Sequence, residues 1–437
     1  MKPIYALLLL AVSVTTYLCG RWISGAKSDK KRSNATTMSV ILVLLPLFFF
    51  KYFNALNEFL IFLLDKVGVE VSYTMPSFML PIGISFYTFM ALGYLVDVNN
   101  EDIEVENNFG ILALFISFFP LVLSGPIERA PHMLPQFKKK ISFNEETFVK
   151  GLKLMLWGYF MKLCVADNLA MYINDAMANI DVSSGKTLLF ASLLYPFQVY
   201  GDLGGYSLIA IGVAALLGFN VNPNFNRPFF STSMSEFWRR WHMSLIKWLT
   251  DYIYTPISFS LRRYKVWGIA YALMLTFIIS GLWHGATVMF VVWGVIQGVF
   301  LSIDAFTQNS RAKIEGKFKL TNNRLYMALT MIFVYLLFAF SQIFGNVSSL
   351  GEAGKVFSKI IELDGSIFID TITFAYLAIF SMAILFFKDF RDEFFPKRWL
   401  LFENKNIVIR YASYIAVVVL ILLFGVFDSS QFIYFQF

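Results

Sequence analysis

Between Lys265 and Asp304 the chain carries no aspartate, glutamate, lysine or arginine. Two apolar runs, residues 266–279 and 287–301, flank Ser280-Gly281-Leu282-Trp283-His284-Gly285-Ala286. Uncharged runs of this kind read as membrane-spanning helices, because about 20 residues cross the hydrocarbon core. A helix also satisfies every backbone polar group within its own segment. His284 is the only imidazole in this pair of runs. An ionisable side chain inside a span is costly, and its default reading is a functional site. The alternative is a histidine that only hydrogen-bonds across helices. Gly281 and Gly285, four residues apart, remove side-chain bulk, so that a backbone or an extended ligand can approach His284.

The same character runs through the whole chain. Hydrophobic residues make up 57% of its 437 positions and charged residues 15%, against about 45–50% and about 25% in soluble domains. Mean hydropathy is +0.63. The expected fold is an all-α integral membrane protein, with about 10–12 transmembrane or re-entrant helices around a central tunnel in one domain over residues 1–437. The net charge of +7 need not mean a nucleic-acid partner, and none is expected, because many basic residues cluster in short loops that fix orientation in the membrane. The cluster Arg21, Lys27, Lys30, Lys31 and Arg32 is expected in the cytoplasm. So is Arg311, Lys313, Lys317, Lys319 and Arg324, which places the tail 428–437 outside. The run 4–18 lacks a small-x-small cleavage pattern and is expected to remain as a first span. Cys19 and Cys164 belong to no C-x-x-C or Cys/His spacing, so neither a disulfide framework nor a metal site is expected.

Further spans are expected at 78–96, 111–123, 148–164, 188–200, 206–219, 325–343, 367–387 and 407–427. The run 38–64 contains Pro46, Lys51 and Asn54 and is expected to kink, or to break into a span plus a surface helix. From Phe237, the positions Trp238, Trp241, Leu245, Trp248, Leu249 and Tyr252 recur at helical spacing, with Arg240, Ser244, Lys247 and Asp251 opposite. This predicts an amphipathic helix that lies in the interface or re-enters the protein, with His242 near the edge of its apolar face. Arg239 and Arg240 offer rigid donors for phosphates, of a nucleotide-like acyl donor or of lipid headgroups. Asp202 lies among Gly201, Gly204 and Gly205, which suggests an unwound stretch lining a cavity, with the carboxylate paired to an arginine or tuning a nearby group. His132 is expected in a solvated loop. No P-loop, G-x-S-x-G or H-E-x-x-H is present.

Six blocks occur in order: PIGISFYTF from Pro81, SGPIER from Ser124, FQVYGDLGGYS from Phe197, NFNRPF from Asn224, FWRRWHMSLIKWLTDYIYTP from Phe237 and SGLWHGA from Ser280. Together, over 81–286, they resemble the membrane-bound O-acyltransferase family, in the branch of the alginate O-acetyltransferase membrane subunit. The resemblance implies that His284 matches the family's catalytic histidine and His242 the second histidine of its motif. It also implies an O-acetyltransferase of the bacterial cell (inner) membrane. This enzyme would use acetyl-CoA as acyl donor and an extracytoplasmic polysaccharide or peptidoglycan as acceptor. A serine-hydrolase-like partner outside would complete the transfer. At one position the chain departs from that branch: Leu208 follows Ser207 where an aspartate is expected. The D-alanyl transferase of teichoic acid synthesis is also apolar there, so D-alanyl transfer is the alternative within the family. A transporter would also bury charges and break its helices, but it would often show two repeated halves, and no repeat is visible.

An imidazole, with a reference pKa of about 6.5, suits the removal of a hydroxyl proton at neutral pH, and burial keeps it neutral and able to accept one. The last ten residues, Asp428-Ser429-Ser430-Gln431-Phe432-Ile433-Tyr434-Phe435-Gln436-Phe437, form an aromatic end. They read either as an interfacial anchor or as an arm that folds back towards His284, with Tyr434 as a covalent relay. The tail is similar to the aromatic-tyrosine end of the small helper peptide in teichoic acid D-alanylation, and that resemblance implies the relay.

Overall fold

The computed structural model describes residues 4–69, 78, 80–369 and 372–427. Among these the regular elements are helices, and seven stretches are long and apolar enough to cross a membrane. The described residues pack as two compact units. One is drawn from Met1–Phe143 with Gly285–Thr287, the other from Asn144–His284 with Val288–Phe437.

The first unit holds α1 (Ile4–Ser24), α2 (Asp29–Lys66) and α3 (Ile84–Asn99). Ser28 caps α2 by accepting from the Lys31 amide. The helix then runs 38 residues through Pro46 without ending. Of the expected kink or break, the break is absent, because membrane helices re-satisfy the groups a proline frees. The region expected to span at 78–96 contributes α3, 16 residues long and about 24 Å in length. It is the buried centre of the unit, covered from Phe86 to Leu95. The run 111–123 divides into α4 (Phe109–Ile116) and α5 (Phe119–Val122), with Pro120 in the first turn of the second, where its missing N–H is no loss. Gly83 has φ +78°, and a Cβ there would lie 2.2 Å from the Val122 carbonyl oxygen. The PIGISF block is thereby fixed on the residues that lead into SGPIER. In α6 (Ala130–Phe137), His132 Nδ1 lies 2.8 Å from the buried Glu128 carboxylate. His132 is thus held on a helix and not in a solvated loop.

The second unit opens with two long helices, each containing a wide π turn. α7 (Glu145–Tyr159) passes through Phe160–Ala166 into α8 (Asp167–Ala178), and α9 (Gly185–Val199) through Tyr200–Gly204 into α10 (Gly205–Leu216). Glycines 201, 204 and 205 therefore do not unwind the chain. They let two helices touch backbone to backbone: a Cβ on Gly205 would sit 2.8 Å from the Gly158 carbonyl oxygen. After α11 (Met234–Arg240), α12 (Met243–Leu249) and α13 (Thr255–Ser260), the chain forms the hairpin of α14 (Val266–His284) and α15 (Val288–Lys317). α16 (Arg324–Gln342), α17 (Leu350–Glu362), α18 (Ile372–Phe394) and α19 (Ile407–Phe424) complete the unit.

The two ends of this unit differ in charge. Arg262, Arg263, Lys265, Lys313, Lys317, Arg324, Lys388 and Lys405 lie where α14 begins, α15 ends, α16 begins, α18 ends and α19 begins, against Glu315, Asp389, Asp392, Glu393 and Glu403. The opposite end, with the α8–α9 turn and α17, carries Asp181, Glu352, Glu362 and Asp364 against Lys186, Lys355 and Lys359. The tail 428–437, with Tyr434, lies outside the described residues.

Candidate active site

The stretch from Phe237 to Tyr252 is not one amphipathic helix. It breaks at Trp241–His242, where His242 adopts φ 44° and ψ 50°. A left-handed conformation costs a non-glycine residue about 1–2 kcal/mol, so neighbouring groups must hold it. Asn224 does so. Its backbone oxygen accepts from the Met243 amide at 2.8 Å. Its side-chain oxygen accepts from the Ser244 amide at 3.2 Å and the Ser244 hydroxyl at 2.9 Å. The Asn226 amide donates to the Arg240 carbonyl at 2.9 Å. The NFNRPF block thus clamps the FWRRWH block, and His242 is buried (1% exposed) instead of lying at a helix edge. The apolar spacing survives the break because Trp238, Trp241, Leu245, Trp248 and Leu249 all turn inward on both sides of it.

The same contacts set the His242 tautomer. The Ser244 amide can only donate, so it identifies the Asn224 atom facing it as the oxygen, and Asn224 Nδ2 donates to Ser207 Oγ at 2.9 Å. His242 Nδ1, 3.2 Å from that oxygen, must therefore carry hydrogen, which leaves Nε2 as the acceptor nitrogen. Burial pushes the imidazole down to about 3, so the ring is neutral at physiological pH.

His284 is the last residue of α14, at the turn of the hairpin and not midway along a span. Gly281, one turn earlier, is consumed by helix packing: a Cβ there would lie 2.2 Å from the Phe290 carbonyl oxygen of α15. That face is closed by backbone. The half-buried imidazole is caged by rings, with Trp283 at 4.7 Å, Trp293 at 5.0 Å and Phe290 nearly parallel at 6.0 Å. Trp283 also stands edge-on to His242 at 6.5 Å. The two histidines therefore share one aromatic neighbour. Trp238 extends the cage, 5.9 Å from Trp293, and its indole N–H donates to Gln297 at 3.3 Å. Gln297 in turn donates to Ser341 at 2.6 Å, which ties α15 to α16 behind the cage.

Beside the Asn224 clamp is a cavity of about 190 Å³, whose lining includes Ser207, Leu208, Asn224, Arg227 and Lys388. Its lining runs from Ser207 and Asn224, beside His242, to Arg227, Lys388, Asp389 and Asp392 at the basic end of the unit, so both signs of charge line it. Of the arginine pair, Arg239 is exposed. Arg240 is engaged by Glu236 at 2.7 Å and Glu393 at 3.0 Å. Asp202 is buried and paired, but with a lysine: Lys162 Nζ lies 2.6 Å from Asp202 and 2.7 Å from Asp167. Sequence reading passed over Asn224, Lys162 and Gln297. Each carried a signal, since Asn224 opens the NFNRPF block, while Lys162 and Gln297 are polar side chains inside apolar runs.

Comparison with known proteins gives the family of the chain. The model of the membrane-bound O-acyltransferase family matches residues 4–350. The chain belongs to the membrane-bound O-acyltransferase family. Both histidines and all six sequence blocks fall within the matched region. Across 298 residues the chain is 36% identical to a probable alginate O-acetylase of Azotobacter vinelandii, covering 68% of this chain and 59% of that protein. It is 32% identical over 313 residues to a peptidoglycan O-acetyltransferase of Helicobacter pylori, with 65% and 58% covered. A teichoic acid D-alanyltransferase of Bacillus subtilis is 27% identical over 336 residues, with 73% and 80% covered. The matches span less than two thirds of the length of the first two relatives.

Proposed function

We propose that this membrane-bound O-acyltransferase family member takes an acetyl group from acetyl-CoA on the cytoplasmic side. It passes the group outward for O-acetylation of a polysaccharide or peptidoglycan of the cell envelope. The observation that carries this reading is the shared ring: His242 and His284 both face Trp283, and the cavity beside His242 runs towards the basic end. By the positive-inside rule that basic end is cytoplasmic, in the inner membrane of a bacterial cell. The exposed Arg239 then stands where it can meet the phosphates of the donor.

In the transfer, His284 removes the proton from the attacking hydroxyl. The oxygen forms a bond to the thioester carbonyl carbon, the carbon–sulfur bond breaks, and the proton leaves with the thiol. His242, with hydrogen on Nδ1, presents Nε2 as a second acceptor within the same cage. Tyr434 is the proposed intermediate hydroxyl, acetylated and then emptied onto a serine-hydrolase-like partner outside.

Leu208 on the cavity wall favours a second reading, transfer of D-alanine from a carrier protein. Purified protein incubated separately with acetyl-CoA and with carrier-linked D-alanine distinguishes the two by mass spectrometry. An acetyl adduct is expected. A D-alanyl adduct alone selects the second reading, and no adduct from either donor defeats both.

A further inference from the structure

α18 lies beyond residues 4–350, the part of the chain that matches the family model. Its last turns nevertheless close on the two blocks that hold His242. Asp389 and Glu393, four residues apart, occupy one face of the helix. Asp389 accepts from the Tyr200 hydroxyl at 2.8 Å, and the Tyr200 ring stands 5.5 Å from Phe225 and 6.2 Å from Trp241. Glu393 reaches both sides of the clamp. Its Oε1 lies 3.0 Å from Arg240 Nη1, and its Oε2 lies 2.9 Å from Arg227 Nε.

Arg227 belongs to the NFNRPF block and Arg240 to the FWRRWH block. Arg240 is the last residue of α11, two positions before His242, and its carbonyl accepts from the Asn226 amide. Arg227 has φ 46°, a left-handed conformation that a non-glycine residue holds only with outside support. α18 supplies that support: Arg227 Nη1 donates to the Asp392 carbonyl at 2.8 Å, beside the pair with Glu393. One carboxylate between guanidiniums of two segments fixes their separation, because charge-assisted pairs are short and the arginine fork is rigid. We infer that Glu393 is a positioning residue for the reaction. It straps NFNRPF to FWRRWH, so that Asn224 stays against His242 Nδ1 and Nε2 stays the acceptor nitrogen. The inference rests on the acyl-transfer reading above, in which His242 serves the transfer. It gives a helix outside the family-matched region a part in setting a histidine inside it. Loss of the strap need not cost the fold, since Arg240 keeps Glu236 at 2.7 Å and Arg227 keeps the Asp392 carbonyl.

The chain has three histidines, His132, His242 and His284, so imidazole nitrogen NMR on the full chain, labelled at histidine in lipid nanodiscs, reads each tautomer. His242→Asn identifies the His242 signals. The wild-type protein carries hydrogen on His242 Nδ1. Glu393→Gln keeps the shape but has one acceptor oxygen, and Glu393→Ala has none. Both are expected to give a mixed His242 tautomer. Both also take up acetyl about tenfold more slowly at saturating acetyl-CoA, within the roughly 10²-fold that a displaced group can cost. The acetyl-CoA concentration at half-maximal rate is unchanged. Glu393→Asp keeps two oxygens and restores hydrogen to Nδ1, with uptake within a few-fold of wild type. If Glu393→Ala fails to fold, Glu393→Gln alone decides. A wild-type tautomer in Glu393→Gln, whether or not uptake slows, overturns the inference and leaves Glu393 a structural ion pair. So does a higher half-maximal concentration at unchanged maximal rate, which assigns Glu393 to donor binding. A mixed tautomer in Glu393→Gln, with no acetyl uptake by the wild-type protein, instead defeats the acetyl-transfer reading and leaves the strap standing.

Discussion

The side-chain oxygen of Asn224 lies 3.2 Å from His242 Nδ1 and 3.2 Å from the amide nitrogen of Ser244. One atom thereby fixes both the tautomer of a buried imidazole and the left-handed backbone that carries it. Asn224→Ala removes that acceptor and leaves buried donors unmade, at about 1–3 kcal/mol, so acyl uptake falls roughly 10- to 100-fold. Asn224→Asp keeps an acceptor but adds a charge that favours imidazolium. The acid limb of its pH–rate profile moves to higher pH, which a purely structural role for Asn224 would not produce. Uptake rates measured across pH on the two purified variants test both statements.

His284 is caged by Trp283, Phe290 and Trp293 at the end of α14. Truncation to alanine leaves the hairpin contacts at Gly281 and Gly294 in place. His284→Ala is expected to insert normally and lose about 10²–10⁴-fold in transfer rate, the usual contribution of a general base. Near-normal transfer by a well-expressed variant would remove His284 from the mechanism.

The hairpin around His284 was legible because a long uncharged run has few folds open to it. Membership of the acyltransferase family was legible because six blocks keep their order. The break at His242 was hidden by its own neighbours. The rings at 238, 241, 245, 248 and 249 keep a helical spacing on both sides of it, and the clamp that forces it comes from Asn224, outside any local window. The π turn at Phe160–Ala166 contains no glycine, and the glycines around Tyr200–Gly204 read equally well as unwinding. The passage of α2 through Pro46 shows the same ambiguity, since proline breaks isolated helices but not packed membrane ones.

Lys162 holds two buried carboxylates, Asp167 and Asp202. The two ways of disturbing this cluster should therefore differ. Asp202→Asn leaves one ammonium facing one carboxylate and is expected to fold with little loss. Lys162→Met takes the ammonium away from two buried acids, and breaking such a cluster costs about 3–5 kcal/mol. Thermal unfolding midpoints of the detergent-solubilised variants should rank wild type and Asp202→Asn together, with Lys162→Met far below. The reverse order would place the weight of the cluster on Asp202.

His242 also gives the protein a defined acid sensitivity. Burial lowers its pKa to about 3 in the folded protein, against a reference value of about 6.5 when unfolded. Below about pH 6.5 the unfolded chain binds a proton that the folded chain refuses, so stability falls as pH falls, by up to about 1.4 kcal/mol per pH unit. Above that pH the contribution is constant. Between about pH 6.5 and 5, before most carboxylates titrate, this histidine contributes to the slope. His242→Asn, whose side chain tolerates a left-handed backbone, should flatten it. Unfolding midpoints across this window for both proteins provide the check, and a variant with the wild-type slope would assign the sensitivity elsewhere.

Tyr434 offers the sharpest separation of two readings of the chain's end. α19 finishes at Phe424, whose carbonyl accepts from Asn168 at 2.8 Å, and the Val426 amide donates to the Leu163 carbonyl at 3.1 Å. The ten residues from Asp428 therefore leave from a point fixed against the start of α8. At about 3.3 Å per extended residue they have the reach to return to the bundle. An interfacial anchor needs only the ring, whereas a relay needs the phenol oxygen as a nucleophile, activated by a base such as His284. Tyr434→Phe keeps the ring and removes the oxygen. If Tyr434 is the relay, this variant retains expression and membrane insertion but loses glycan acetylation as completely as His284→Ala. The acetyl adduct is then absent from the C-terminal peptide by mass spectrometry. Normal glycan acetylation by Tyr434→Phe would leave the tail as an anchor and require the acetyl group to pass directly from the histidine cage to its acceptor.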